Sequence, residues 1–465
     1  MFTSLRTAVS VALLLAFQPV AHAGLMDDHQ GRWLGNMVIP KGPTLKIGAE
    51  FFIRADGVKW ATLASPDQGG YNIPVASIKE DGDTIELDLN FATLKLTWVK
   101  DHFDGVFAQG GNAFPVALHA VAEFPRKVQP QTPKGPFPYT SQDLVIASTD
   151  GVKLAATLTL PNNNPRPNLV VLVPGSGPSS RDLDIAGHQP FAVMADYLTR
   201  QGVAVLRYDK RGIGHSSGDY RQMTTAQLVD DLGAIIKTMN ARKQFKRVGM
   251  VGLSEGPGIA AAVAARDPAA VDFVVSMAGV GLPGSELILL QDRLVAQDNG
   301  AQPAEVERLM VYVRKYYETL MAHAEPEPRI AALKALRASL SAEDEALVTK
   351  YRMNVGSLSL GEAERPHLRT VLLANPQHDW RAVRAPVLVL NGSLDHQVPA
   401  QENVAGIVGA LKSGGNRKVE SAILPSLNHL FQTAKTGSTD EYGKIEGTIA
   451  PVALERITAF VKKQK

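Results

Sequence analysis

Gly252-Leu253-Ser254-Glu255-Gly256 sets a serine between two glycines at a point where its hydroxyl has chemistry to do. The residues before it, Arg247-Val248-Gly249-Met250-Val251, read as a mostly apolar, buried parallel strand. The residues after it, Ile259-Ala260-Ala261-Ala262-Val263-Ala264-Ala265, have the composition of a helix. Strand, G-x-S-x-G and helix in succession make a nucleophile elbow, a sharp corner that presents the serine. Glycine suits both flanks, because strained backbone between a closely packed strand and helix leaves little space for a Cβ atom. Taken alone, the five residues are equally a Gly/Ser turn closing an ordinary βα unit.

A serine is a poor nucleophile until a base takes its proton, and that base needs a carboxylate to fix its tautomer. Both types follow in the order acid, then histidine. Ala385-Pro386-Val387-Leu388-Val389-Leu390-Asn391-Gly392 reads as a short buried strand, with Asp395 in the loop beyond it. Open parallel sheets carry their sites at that end of their strands. Ser421-Ala422-Ile423-Leu424 is a further strand, and Pro425-Ser426-Leu427-Asn428-His429 puts His429 in the next loop. Singly, these are a solvated acid and a loop histidine. Together, in this order and each after a strand, Ser254, Asp395 and His429 form a candidate triad. His396, next to the acid, is expected to point away from it.

A fourth part stabilises the electrophile. Asn168-Leu169-Val170-Val171-Leu172-Val173 runs into Pro174-Gly175-Ser176-Gly177-Pro178. Lipases and esterases place a glycine turn here, and one of its N–H groups works with the N–H of the residue after the nucleophile. The expected donors are Ser176, with Gly177 as the alternative, and Glu255. Each such dipole aimed at a tetrahedral oxyanion contributes about 3–4 kcal/mol. No Gly-Lys-Ser/Thr follows these glycines, which argues against a phosphate loop.

The chain resembles the bacterial secreted α/β-hydrolases of the serine-aminopeptidase/lysophospholipase-like type that carry an N-terminal β-domain. The resemblance rests on the elbow, on 174–178 with Arg181-Asp182, and on Val205-Leu206-Arg207-Tyr208-Asp209-Lys210-Arg211-Gly212. It rests also on 390–399 and on Leu427-Asn428-His429-Leu430-Phe431-Gln432, so it covers most of the chain from about residue 141 onward. Leu253 and Pro174 stand where relatives often carry histidine, and Pro257 replaces a glycine; none of these removes a catalytic group. The resemblance implies acyl-transfer chemistry and gives little about the substrate.

At 465 residues the length suggests two or three domains. Hydrophobic residues make up 45% and charged residues 20%, as in an ordinary soluble globular protein. A net charge of +2 gives no reason to expect nucleic acid or an anionic membrane as partner. With no cysteine, a disulfide, a thiolate nucleophile and Cys-ligated zinc are all excluded. Residues 1–23 read as a signal peptide: Arg6 is the basic start, 8–17 the apolar core, and Ala21-His22-Ala23 the cleavage site. The core falls short of the ~20 residues of a membrane span. Export, to the periplasm of a Gram-negative cell, is the expectation, with no stable membrane anchor.

Residues 24–125 show short alternating runs between Asp-Gly turn signals at Asp56-Gly57, Asp81-Gly82 and Asp104-Gly105. This predicts a small antiparallel β-domain, sandwich- or barrel-like, with Trp33, Trp60 and Trp98 in its core. The loop Ser65-Pro66-Asp67-Gln68-Gly69-Gly70 has no evident chemistry. Residues 126–140 are proline-rich and read as a semi-rigid linker. From 141 to 465, strands alternate with helices, including a capping box at Thr224-Thr225-Ala226-Gln227. A helical insertion at about 282–380 predicts a cap, in which Tyr312, Tyr316, Tyr317 and Tyr351 are candidates to line an acyl or aryl pocket.

The expected fold is therefore α/β: an α/β-hydrolase domain with a helical cap insertion, preceded by a small all-β domain. The expected activity is exported serine hydrolysis of a carboxylic ester through an acyl-enzyme, without cofactor or metal. The substrate would be a small-molecule ester or acyl compound. An aminopeptidase or thioesterase would use the same residues, and a catalytically silent ligand-binding protein is the alternative of another class. The sequence leaves oligomeric state open.

Overall fold

The computed structural model describes residues 24–351 and 366–464. Residues 1–23, read above as a signal peptide, and part of the expected cap, 352–365, lie outside the described residues. After a short helix α1 (Leu25–Asp28), nine antiparallel strands follow: β1 (Gly31–Val38), β2 (Thr44–Ile53), β3 (Lys59–Ser65), β4 (Gly70–Pro74), β5 (Ser77–Asp81), β6 (Thr84–Asp88), β7 (Ala92–Val99), β8 (His102–Gln109) and β9 (Asn112–Val121). They form one sheet in the order β4-β3-β2-β1-β9-β8-β7-β6-β5. Alternation puts one face of each strand inward, so Phe51, Leu63, Ile85, Leu94, Phe103 and Leu118 meet in a single core. Trp33 is buried among them, while Trp60 and Trp98 are partly buried against the core.

Asp104-Gly105 is not a turn. It lies inside β8, where Asp104 faces Thr97 and Gly105 faces Leu96. A Cβ on Gly105 would fall 2.4 Å from Lys95 O, so this glycine answers a close backbone approach in mid-strand. The hairpins on either side turn instead through Lys100 (φ 60°) and through Gly110 and Gly111 (φ 57° and 78°).

The catalytic sheet contains β10 (Tyr139–Ala147), β11 (Lys153–Pro161), β12 (Leu169–Val173), β13 (Ala204–Tyr208), β14 (Val248–Leu253), β15 (Phe273–Met277), β16 (Val387–Gly392) and β17 (Val419–Leu424). Their order is β10-β11-β13-β12-β14-β15-β16-β17. Strand β11 runs antiparallel to both its neighbours, β10 and β13, and β12 to β17 run parallel to one another. The inner parallel strands, β12 to β16, are buried on both faces because helices cover each side, while the edge strand β17 is largely exposed. These are α2 (Pro190–Arg200), α3 (Thr225–Ala241) and α4 (Gly256–Arg266), with later helices from the second half of the chain. The protein thus has an α/β-hydrolase sheet preceded by an all-β sheet.

Between β15 and β16 come α5 (Gly284–Asp298), α6 (Pro303–Ala322), α7 (Pro326–Ala338), α8 (Ala342–Lys350), α9 (Pro366–Leu373) and α10 (Pro376–Ala382). After β16 come α11 (Ala400–Ser413) and α12 (Pro451–Lys463). Helices α5 to α9 build the cap around their own core. Tyr312, Tyr316, Tyr317 and Tyr351 are buried in that core and do not line the cavity described below, contrary to expectation. Their helical spacing reports an apolar face, and the face is covered by neighbouring cap helices. Among the described residues, no helix is long and apolar enough to cross a membrane.

Among the described residues, the cap core buries one acid. Asp292 is 1% exposed, and Tyr317 Oη donates to its Oδ2 at 2.7 Å. Burial pushes its carboxyl up to about 6, partly opposed by that hydrogen bond. Between the ordinary carboxylate value and about 6, the folded protein keeps a proton that the unfolded chain has released. Stability contributed at this site therefore falls as pH rises through that window and stays lower above it. Asp292→Asn, which still accepts from Tyr317, is expected to stabilise the protein at pH 8 by up to about 3 kcal/mol and to change little at pH 4. Denaturant unfolding at the two pH values measures this, and an equal effect at both would contradict it.

The proline-rich segment between the sheets is bound along its length to the catalytic sheet's side of the molecule. Gln131 Nε2 donates to Ile449 O at 2.8 Å, and Gln131 Oε1 accepts from Thr448 N and Ile449 N at 2.7 and 3.0 Å. A single glutamine carboxamide satisfies three backbone groups there, so the segment is anchored rather than a spacer.

Candidate active site

Ser254 directly follows β14 with φ +62°, a left-handed conformation that costs a non-glycine residue on the order of 1–3 kcal/mol. Its own N–H donates to Met277 O at 2.9 Å, which secures the corner to β15. Both flanking glycines are required by space. A Cβ on Gly252 would sit 2.5 Å from Pro257 N, and one on Gly256 would sit 2.2 Å from Val173 O. Helix α4 begins directly at Gly256, with Pro257 in its first turn, where proline sacrifices no helical hydrogen bond. The strand-elbow-helix reading of the sequence is what the backbone shows.

Asp395 and His429 lie beyond the carboxyl ends of β16 and β17, on the same edge of the parallel sheet as Ser254. His429 Nδ1 is 2.9 Å from Asp395 Oδ2, and both residues are 4% exposed. The other carboxylate oxygen, Oδ1, accepts from Gln397 N at 2.9 Å and Val398 N at 2.8 Å. The acid is thus fixed by its own loop while it orients the histidine. Asn428 fixes the histidine loop in turn, its Oδ1 accepting from Leu430 N at 3.1 Å and Gln432 N at 2.9 Å. His396 turns away as expected and pairs with Asp298 at 2.8 Å. Among the described residues, no hydrogen bond joins Ser254 Oγ to His429. The structure thus brings the candidate acid and base into contact and leaves the serine on the neighbouring cavity.

That cavity has a volume of about 350 Å³ and is lined by Ser254, Glu255 and Ser176 together with an apolar wall. Ala226 and Val229 come from α3, Ile259 and Ala262 from α4, and Leu287 and Ile288 from the cap helix α5. The part played by α3 was hidden in the sequence: its capping box and buried stripe describe an ordinary packing helix, and only tertiary placement turns its first turns into a wall. Gln291 of α5 also lines the cavity, and its Nε2 donates to Gln397 O in the Asp395 loop, tying cap to acid. Among the described residues, no group of three or more His, Cys, Asp and Glu is placed to hold a metal ion.

The remaining motif residues are held by ion pairs. Arg181 holds Asp209 through both ends of its guanidinium, Nε to Oδ1 at 3.2 Å and Nη2 to Oδ2 at 2.7 Å. Arg207 pairs with Asp182, and Arg211 makes a two-point contact with Asp231 at 2.8 and 2.6 Å. Bidentate arginine–carboxylate pairs fix orientation as well as distance.

The chain is similar to several known proteins. Esterase EstD of Thermotoga maritima is 23% identical over 354 residues, which cover 76% of this chain and 73% of that protein. An acyl transferase of Photorhabdus luminescens is 31% identical over 143 residues, 30% of this chain and 44% of that one. Among solved structures, an α/β-hydrolase from Penicillium sp. sh18 is 18% identical with a TM-score of 0.43, covering 70% of this chain and 99% of the other. Residues 150–429 match the X-Pro dipeptidyl-peptidases of the S15 family, and that span runs from the first hairpin of the catalytic sheet through Ser254 and Asp395 to His429. The chain belongs to the X-Pro dipeptidyl-peptidase (S15) family and is a serine hydrolase of the α/β-hydrolase fold.

Proposed function

We propose that this protein hydrolyses a carboxylic ester through an acyl-enzyme on Ser254. The observation that carries this reading is a strained serine opening on an apolar cavity, with a buried His–Asp pair on the same edge of the sheet. Ser254 Oγ attacks the carbonyl carbon while His429 takes its proton, and Asp395 holds His429 with Nδ1 protonated so that Nε2 is the accepting atom. The serine–histidine hydrogen bond forms as substrate binds; such bonds tighten in the Michaelis complex. The N–H groups of Ser176 and Glu255 receive the oxyanion. His429 then returns the proton to the leaving alcohol, and water repeats the sequence to release the acid. The similarity to an esterase supports an oxygen leaving group, and the apolar wall supports an acyl chain or aryl group in the cavity.

A second reading, cleavage of an aminoacyl amide, has two observations in its favour: the match of residues 150–429 to a peptidase family, and an acid in the cavity. Asp379 lines the same cavity, and a carboxylate there would meet a substrate ammonium. A panel of p-nitrophenyl esters, thioesters and aminoacyl arylamides, run beside fluorophosphonate labelling of Ser254, separates the readings. On the ester reading, kcat/KM is expected to rise from acetyl through butyryl to hexanoyl esters, because each buried methylene contributes about 0.8 kcal/mol, roughly fourfold. An acetyl ester faster than both longer ones would mean the cavity does not receive the acyl chain. Arylamide turnover with no ester turnover would replace the first reading with the second.

A further inference from the structure

Lys210 takes no part in the chemistry described so far, yet its side chain is 1% exposed and ends at the active site. Its Nζ donates to Gly175 O and to Gly177 O, the latter at 3.3 Å, and lies 3.9 Å from Glu255 Oε2. Removing an ammonium from water is expensive unless charged or polar partners compensate. Burial draws the Lys210 pKa down, and Glu255 opposes that. Methionine would fill similar space without this penalty, so the lysine contributes more than volume.

Its partners show what that contribution is. The carbonyl of Gly175 and the N–H of Ser176 belong to one peptide group, which is planar and trans, so the two point in opposite directions. An ammonium that holds the carbonyl turns the N–H away from itself. Ser254 stands close to this peptide: a Cβ on Gly175 would be 2.9 Å from Ser254 Cβ and 3.5 Å from its Oγ. Ser176 lines the cavity beside Ser254. The N–H of Gly177 belongs to the next peptide, whose carbonyl is that of Ser176, and Lys210 does not contact it. The same ammonium lies near the side chain of Glu255, the residue whose N–H is the second donor. We propose that Lys210 is a positioning residue that fixes the Gly175–Ser176 peptide, so that Ser176 and not Gly177 supplies the first oxyanion N–H.

This inference rests on Ser254 being the nucleophile, and its test keeps the two apart. Hydrolysis by wild type, Ser254→Ala, Lys210→Met and Lys210→Gln is compared on an ester and on its thiono analogue. Sulfur accepts hydrogen bonds poorly, so the oxo/thiono rate ratio reports the oxyanion hole, whereas a general packing defect lowers both rates together. Lys210→Met is expected to lose about 10²–10³-fold in kcat, with KM within about threefold of wild type and a collapsed oxo/thiono ratio. Lys210→Gln, which keeps a donor, is expected to lose less. If Ser254→Ala still hydrolyses the ester, the reading of the site and this inference fall together. If Ser254→Ala is inactive while Lys210→Met keeps wild-type kcat and ratio, only the role of Lys210 is overturned. Should neither lysine variant fold, a crystal structure of the wild-type protein phosphonylated on Ser254 decides the matter. The phosphonyl oxygen on Ser176 N, with Lys210 on Gly175 O, supports the assignment; the oxygen on Gly177 N overturns it.

Discussion

Ser254→Ala is expected to lower turnover of every ester the wild-type protein cleaves by at least ~10³-fold and to leave the fold intact. The first half follows from how the site divides its labour. Without the hydroxyl there is no acyl-enzyme, and only the oxyanion donors and substrate binding remain to assist water. The second half follows from the local structure. Alanine at φ +62° is strained about as much as serine, and no protein hydrogen bond to Ser254 Oγ is lost among the described residues. The apolar cavity and the Asp395–His429 pair are untouched, so KM should change little. Stopped-flow burst kinetics and intact mass after fluorophosphonate treatment check both points: the variant should show neither a burst nor an adduct. Full activity in a preparation free of wild-type protein would refute the mechanism.

The candidate site was legible because each of its parts is a local pattern. A buried strand followed by G-x-S-x-G and an alanine-rich helix specifies the corner at Ser254 within about twenty residues. Asp395 and His429 are each announced by the strand before them. What the sequence does not carry is the orientation of groups brought together from distant segments. Lys210 reads as one more charge in 205–212, and only the fold shows its ammonium against Gly175 O. The cap tyrosines follow the same logic in reverse. Helical periodicity places them on an apolar face, but whether substrate or protein covers that face is decided by α5 to α9 packing together. At Asp104-Gly105, two residues with strong turn preference sit in mid-strand because strand pairing on both sides outweighs local propensity.

The loop at 65–70 and the β-sheet before the catalytic sheet also gain meaning from contacts. Gly69 approaches Gly187 so closely that a Cβ would lie 2.8 Å from Gly187 N. Asp184, in the segment between β12 and α2, accepts from Asn72 Nδ2 at 2.7 Å and from Arg126 Nη1 at 2.6 Å. On the other side, Ala55 N donates to His215 O at 2.8 Å, and Arg54 Nη1 donates to Gly218 O at 3.2 Å. The loop held there begins at Lys210, since Ile213 N donates to Lys210 O at 3.0 Å. The all-β sheet therefore contacts two catalytic-side segments, one continuing from the turn at 174–178 and the other carrying Lys210.

Asp395→Asn is expected to lower kcat by about 10³–10⁴-fold with the protein folded and KM nearly unchanged. The two carboxylate oxygens have different tasks, and the substitution separates them. Oδ1 accepts from Gln397 N and Val398 N, two buried backbone donors that need an acceptor. An asparagine satisfies them with its carboxamide oxygen, which places its NH₂ where Oδ2 now faces His429 Nδ1. An NH₂ group cannot accept a hydrogen bond, so Nδ1 must become the acceptor and the ring proton moves to Nε2. The histidine then presents a donor to the serine and cannot take its proton. The loss is thus one of tautomer, with the loop geometry preserved. Asp395→Ala differs in kind: it removes the acceptor for both backbone donors as well, so it should lose stability in addition to activity. Kinetics and thermal unfolding of the two variants side by side make the distinction. An asparagine variant with wild-type kcat would show that His429 draws its orientation from another group and that the acid has been misassigned.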